Sequence, residues 1–398
     1  MARVAASIEM PLGHGRHTLR IGMFADMYKP HLSGVTNYIS LYKRRFEDLG
    51  HEVFVFTFGH PGYEDGERNV IRSAAVPWGR TGWQAGLFLS EAGQRIAPTL
   101  DIAHVHHPFL SAHLALKYCK PAGIPVVFTN HTRYDIYSDM YAHWVPRRMR
   151  MAFVQQSLHN LASRVDGVIA PSPGIAQWLS DFDVTDDAVL LSNCIDTVPF
   201  ANPTHPHKRT DFGFAEDSVV FCYLGRLGPE KNLGMLVEAF VRAAEADPRI
   251  CLLMLGDGPA RGEAQERLWA HGLTSRVHFT GLTPYALVPD MLAAADAFVT
   301  ASVSEVHPLV IMEAMAAGLP AIGVHSPGVA DIIIDGQTGF LTSQNACVFS
   351  ERMLTLAAEP ELRNRMSQAS REAAALYDIR IMAEEMLGLY ARVGARVD

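Results

Sequence analysis

Short apolar runs, each closed by a polar or glycine-bearing loop and followed by apolar positions at three- to four-residue spacing, recur along the chain. The first run is LRIGMFA from Leu19, followed by a helical pattern over Thr36 to Leu49 and a second run, EVFVFTF. This predicts a strand–helix–strand opening, and DIAHVHH, PVVFTNH and DGVIAPS continue the same rhythm. Around 200–210 the rhythm stops, and Pro, His and basic residues follow one another without periodicity, as in a linker. A second series then begins with SVVFCYLG, ICLLMLG, RVHFTG, DAFVTAS and LPAIGV as strands. Helical patterns fall at Asn232 to Ala246, Tyr285 to Ala294 and Leu309 to Ala317, and a last one runs from Ile379 to Val393.

The pattern predicts an α/β protein of two Rossmann-like, doubly wound domains. The expected division is a disordered leader at 1–18, a first domain at 19–199, a linker at 200–210, a second domain at 211–376, and a final segment, 377–398, whose helix crosses back to the first domain. Ligands of such sheets bind at the carboxyl ends of the strands. A length of 398 residues suits two cores, and 48% hydrophobic with 19% charged residues excludes a disordered chain. The net charge of -8 and the lack of a dominant basic stripe argue against a nucleic-acid binder. Cys119, Cys194, Cys222, Cys251 and Cys347 are odd in number and form no close pair, so reduced thiols and a cytoplasmic setting are expected. The opening MARVAASIEMPLGHGRHT lacks the apolar core of a secretory signal, and the most apolar windows fall far short of the ~20 residues a membrane span needs.

Candidate chemistry concentrates in the loops after strands. In S-E-V-H-P-L-V-I-M-E-A-M-A-A-G-L-P, Glu305 and Glu313 are separated by seven residues, with Glu305 just beyond a strand and Glu313 inside a helix. The first turn of that helix offers N–H groups to an anion, while the two carboxylates can accept hydrogen bonds from hydroxyls. Gly225 to Asn232, G-R-L-G-P-E-K-N, puts Arg226 and Lys231 at the mouth of the second sheet, suited to a diphosphate leaving group.

These motifs resemble glycosyltransferase family 4. The resemblance implies the GT-B fold and a retaining hexosyltransferase. It gives Glu305 the donor sugar, Glu313 the ribose hydroxyls, and Arg226 with Lys231 the diphosphate. The family usually has Gly where this chain has Pro308, so His307, Leu309 and Val310 are expected to supply the nearby donor contacts. S-G-V-T-N-Y resembles the family's glycine loop, placing backbone near Gly34 beside the donor. His131 in F-T-N-H-T-R-Y-D corresponds to the family's histidine near the sugar and the reacting centre, and Glu305 and His131 are the expected catalytic residues. S-N-C-I-D-T departs from the family by carrying Cys194 where Gly is usual. No cofactor and no metal are expected, with the nucleotide sugar as substrate.

Three other motifs carry less. Asp181-Phe182-Asp183 has the spacing of metal-dependent transferases but reads as a solvated turn, and His104, His106 and His107 lack a nearby carboxylate to complete a metal site. Gly256, Gly258 and Gly262 loosely resemble a dinucleotide fingerprint without its ribose-binding acid, so no NAD is expected. The stretch H-T-R-Y-D-I-Y-S-D-M-Y-A-H-W with P-R-R-M-R after it looks most like diacylglycerol glucosyltransferases, which work at membrane surfaces. The leading expectation is therefore glucose transfer from UDP-glucose to a lipid hydroxyl, at the inner membrane face. Alternatives are transfer of another hexose, such as mannose, to a phosphoinositide or soluble acceptor, and a sugar-nucleotide epimerase on the same fold. Tyr134, Tyr137, Tyr141 and Trp144, with Arg147, Arg148 and Arg150, are expected to join an aromatic face to a basic end that touches anionic lipid.

Overall fold

Residues 18–31, 33–60, 63–77, 84–141 and 144–395 are described by a computed structural model. The expected leader, Thr18 excepted, lies outside the described residues. Seven strands form the first sheet: β1 (Arg20–Phe24), β2 (Glu52–Phe58), β3 (Val70–Ser73), β4 (Ile102–Val105), β5 (Val126–Thr129), β6 (Gly167–Ala170) and β7 (Val189–Leu190). They run parallel in the order β3-β2-β1-β4-β5-β6-β7. The second sheet holds β8 (Val219–Leu224), β9 (Ile250–Leu255), β10 (Val277–Gly281), β11 (Ala297–Thr300), β12 (Ala321–Val324) and β13 (Gly339–Thr342). Its order, β10-β9-β8-β11-β12-β13, is again parallel, so each sheet has the doubly wound reversal beside its first strand.

Central strands are apolar on both faces because helices cover both. In the first sheet, Phe24, Phe56 and Phe128 pack to one side, and Ile21, Val53 and Val127 to the other. In the second, Phe221, Leu252 and Val299 lie opposite Val220, Leu253 and Phe298. The helix Gly34–Asp48 after β1 starts at Ser33, whose hydroxyl accepts the Thr36 N–H at 3.1 Å. It buries Tyr38, Ile39, Tyr42 and Phe46, an i, i+4, i+8 stripe with one added position.

The strands at β3, β7 and β13 have no counterpart in the sequence reading. All three lie at the edges of their sheets, and Val189–Leu190 is too short to show a period. The segment 200–210 is held on the second domain: the N–H groups of His205 and His207 both bond Asp290, one to its carboxylate and one to its carbonyl. The C-terminal helix Ile379–Arg392 crosses back and packs on the helix Gly34–Asp48, where the Tyr390 ring lies 6.0 Å from that of Phe46. The crossing is pinned at its start, where Asp378 accepts hydrogen bonds from the Thr197 N–H and hydroxyl and pairs with Arg380. That charge and those bonds outweigh burial and hold the Asp378 carboxyl down at about 2.

Candidate active site

The loop after β11 joins the two domains. Val306 is buried in the core of the first domain, and a Cβ on Gly328 would come within 2.4 Å of the carbonyl oxygens of Glu305 and Val306. His307 is 5% exposed, and its Nδ1 accepts the Asn193 N–H at 3.2 Å while its carbonyl accepts the Asn193 side-chain N–H at 2.9 Å. Burial pushes the His307 imidazole down to about 3, so it stays neutral and able to accept. His307 Nδ1 and carbonyl thus clasp the segment between the domains. Asn193 sits beside Cys194, so this clasp occupies the place where the sequence departs from the family.

Pro308 is the N-cap of the helix Leu309–Ala316, with extended backbone, and withholds the one N–H that another residue would add there. Leu309 and Val310 open that helix and leave their N–H groups in its first turn.

Glu305 and Lys231 are not separate sites. Lys231 Nζ lies 2.6 Å from Glu305 Oε1, with only 20% and 17% of the two side chains exposed. Burial would raise the Glu305 carboxyl, but the Lys231 charge and hydrogen bond hold it below its usual range. Glu313 is 2% exposed and accepts the Tyr285 hydroxyl at 2.7 Å. Burial raises its carboxyl to about 7 despite that bond. One carboxylate is thus charged and paired, and the other is poised to gain or lose a proton near neutral pH.

Arg226 stands at the mouth, 56% exposed, with Nη1 3.5 Å from Glu230 Oε1. Its charge is felt across the cleft by His31, whose imidazole is lowered first by burial and then by Arg226. The Arg226 loop depends on the glycines that resembled a dinucleotide fingerprint. Gly256 has φ +137, and a Cβ there would lie 2.0 Å from the Gly225 carbonyl oxygen. A Cβ on Gly258 would lie 2.4 Å from that of Leu227. These glycines let one loop lie on the other.

On the facing domain, Gly34 opens the helix after β1, and a Cβ there would meet nothing within 4 Å. His131 follows β5, half-buried, with Nε2 3.1 Å from Nδ1 of His106 and the Tyr38 ring edge-on at 4.6 Å. Burial first, and then the neighbouring His107 and His104, push its imidazole well below the usual value.

The sequence reading missed Tyr285, Asn193, Glu230 and the His106 contact. Asn193 had a signal in S-N-C-I-D-T and His106 in the histidine cluster, Tyr285 had none, and Glu230 lies inside the cation loop. It is 4% exposed, and its Oε2 has no hydrogen-bond partner among the described residues.

Two other motifs resolve differently. Asp183 takes a left-handed backbone, φ 52, with its carbonyl bonded to His159, and Asp181 bonds Gln177. Among the described residues no group of three His, Cys, Asp or Glu side chains is placed to hold a metal ion. The expected aromatic face is not a single face. Tyr134 is buried against Phe109, while Trp144 is 73% exposed, and the side chains of Tyr137 and Tyr141 lie outside the described residues. Arg150 is corrected as well: it is 9% exposed and paired to Asp139 at 2.6 Å. What the helix Arg147–Ala162 does expose is Met149 and Phe153, one turn apart, beside Arg147 and Arg148. No helix among the described residues is long and apolar enough to cross a membrane.

Comparison with known proteins agrees with this geometry. Residues 32–198 match Glycosyltransferase Family 4, and residues 205–373 match Glycosyl transferases group 1. An alpha-monoglucosyldiacylglycerol synthase of Streptococcus pneumoniae is 29% identical over 81% of this chain and 75% of its own. A sulfoquinovosyl transferase of Arabidopsis thaliana is 30% identical over 86% of this chain and 69% of its own. The fold is shared with Anabaena HepE, solved with UDP and glucose, at TM-score 0.72 and 17% identity over 94% of this chain and 100% of that one. Both halves of the cleft therefore fall within one family, and the chain belongs to glycosyltransferase family 4 as a hexose-transferring enzyme of the GT-B fold.

Proposed function

We propose that this enzyme moves glucose from UDP-glucose to the hydroxyl of a lipid such as diacylglycerol, with retention at the anomeric carbon and without a metal. The observation that carries the donor side is the Lys231–Glu305 ion pair beside Arg226. An arriving diphosphate draws Lys231 and Arg226 to its oxygens, which frees Glu305 to accept from sugar hydroxyls. Glu313, released from Tyr285, accepts from the ribose. The bond from the anomeric carbon to the β-phosphate oxygen breaks, and the acceptor oxygen bonds on the same face. The leaving diphosphate takes the acceptor's proton, so no protein nucleophile is needed. Glu305 and His131 act by contact with the sugar, and the first-turn N–H groups of Leu309 and Val310 with the backbone at Gly34 approach the donor's charged end.

The acceptor reading is supported by the name of the pneumococcal relative and by the exposed Trp144, Met149 and Phe153 next to two arginines. Binding at the inner face of the cytoplasmic membrane is then reversible, because each arginine near an anionic surface contributes ~1 kcal/mol. A mass-detected screen of nucleotide sugars against a total lipid extract and a mixed polar acceptor pool tests the reaction. UDP-glucose with diacylglycerol is expected to give the strongest product, unaffected by EDTA. Mannose transfer to a polar acceptor, sugar interconversion with no acceptor, or loss in EDTA reversed by Mn²⁺ would each replace a part of this reading.

Vesicle flotation tests the surface. Anionic but not zwitterionic vesicles are expected to recruit the enzyme at low salt. Recruitment should fall severalfold in a Met149→Ser, Phe153→Ser variant and in an Arg147→Ala, Arg148→Ala variant. Equal flotation of parent and both variants would remove this helix from the acceptor side.

A further inference from the structure

Histidines at the carboxyl ends of the first sheet form a layered stack that the transfer reaction, as described, does not use in full. His104, on β4, is held at both ring nitrogens: Nδ1 lies 2.7 Å from the Tyr390 hydroxyl and Nε2 lies 2.7 Å from the Thr129 hydroxyl. The His106 ring sits 4.2 Å from that of His104, centroid to centroid, and 5.3 Å from that of His131, stacked. Tyr38 closes the edge of both, at 5.6 Å from His106 and 4.6 Å from His131. Tyr390 comes from the C-terminal helix, so that helix sets the floor on which His106 rests.

His106 and His131 are both neutral. Burial lowers each imidazole well below its usual value, and their neighbouring histidines lower it further. Two neutral imidazoles joined by one hydrogen bond, His106 Nδ1 to His131 Nε2 at 3.1 Å, share a single proton along it. The direction follows from the far side of His106. Its Nε2 is buried and has no hydrogen-bond partner among the described residues. Had His131 been the donor, the His106 proton would sit on Nε2, an interior N–H with no acceptor, which is the rarer and costlier state. With the proton on His106 Nδ1, only a bare lone pair is left unpaired.

We propose that His106 is a positioning residue: it donates Nδ1–H to Nε2 of His131 and so fixes His131 as the Nδ1–H tautomer, a hydrogen-bond donor toward the sugar. The inference rests on the reading of His131 as a sugar contact and deepens it. The one lone pair of the His131 ring is taken by His106, so His131 does not remove the acceptor's proton. That proton is left to the departing diphosphate. His104, fixed at both ends by Tyr390 and Thr129, keeps the His106 ring from turning over.

The full-length enzyme labelled with ¹⁵N-histidine reports each tautomer directly, because bare and protonated ring nitrogens resonate far apart. His131 is expected to be protonated at Nδ1, unchanged between about pH 6 and 8. In His106→Leu, His131 shifts toward the Nε2–H form, and kcat falls roughly tenfold or more with the donor KM little changed. His106→Asn, whose amide N–H can stand where Nδ1–H stood, restores the tautomer and most of kcat. A parent His131 protonated at Nε2, or an unchanged tautomer in His106→Leu, overturns the proposal. If the leucine variant fails to fold, the parent spectrum still decides it. Full transfer by His131→Ala would instead sink the sugar contact, and the spectrum would judge His106 on its own.

Discussion

Lys231→Ala is expected to lower transfer by about a hundredfold or more, because it removes a preorganised charge from the leaving group in a site largely screened from water. The loss has a second source. Lys231 is what keeps the largely buried Glu305 ionised, against a burial effect that would raise its carboxyl. Without the ammonium, Glu305 has lost its charged partner and takes up a proton more readily, so the variant loses the cation for the diphosphate together with the anion for the sugar. The sign of the pH effect follows. A carboxyl held low in the folded state contributes stability above its unfolded value and loses it on acidification through the folded one. In the variant burial acts on Glu305 without the ammonium and raises its carboxyl instead, a penalty that grows only above the unfolded value, so the thermal deficit of Lys231→Ala should be larger at pH 8 than at pH 5. Adding Glu305→Gln should restore melting but not transfer, since the stranded charge is gone while the diphosphate still lacks its cation. Transfer within about threefold of the parent in Lys231→Ala would take Lys231 away from the leaving group.

Glu313→Gln is expected to weaken UDP-glucose binding by about ten- to a hundredfold while making the free enzyme more stable at alkaline pH. The carboxyl stands at about 7 instead of its ordinary 4.5, held up by burial with a single bond from Tyr285. Each unit of such a shift corresponds to 1.36 kcal/mol, so ionising this group in the folded protein costs about 3 kcal/mol. A raised carboxyl contributes no penalty below its unfolded value and the full penalty once the pH has passed the folded one. Glutamine keeps the carbonyl that accepts from Tyr285 and never ionises. The gain in stability should thus be absent near pH 4.5, grow through pH 6 and be complete by pH 8, where the melting temperature rises by several degrees. Affinity moves the other way, because ribose hydroxyls donate more strongly to a carboxylate than to an amide. Parent binding should accordingly strengthen as pH rises through 7, and the glutamine variant should be flat. UDP-glucose suits this measurement because its phosphates do not titrate in that range. No gain in melting at pH 8 would mean that Glu313 is not the strained acid described here.

The two sheets and the motifs at their rims were legible because their code is local. A buried parallel strand needs a short apolar run, a helix against it needs a stripe at its own period, and a turn needs Gly or Pro beside it. LRIGMFA, SVVFCYLG and the Glu305–Glu313 stretch carry those signals within a few residues. Edge strands such as Val189–Leu190 do not, being too short for a period to exist. Charged and polar side chains have no period that names their partners. Lys231 finds Glu305 from 74 residues away and His104 finds Tyr390 from 286, and His307 is clasped by an asparagine of the other domain's rim. Arg150 looked like its neighbours Arg147 and Arg148 until the fold turned it inward onto Asp139. The sequence by itself thus determined the two doubly wound sheets and the motifs at their rims. The tertiary structure alone decided which of those residues hold each other before substrate arrives, because a buried charge takes whatever partner the packing of distant segments brings within hydrogen-bond reach.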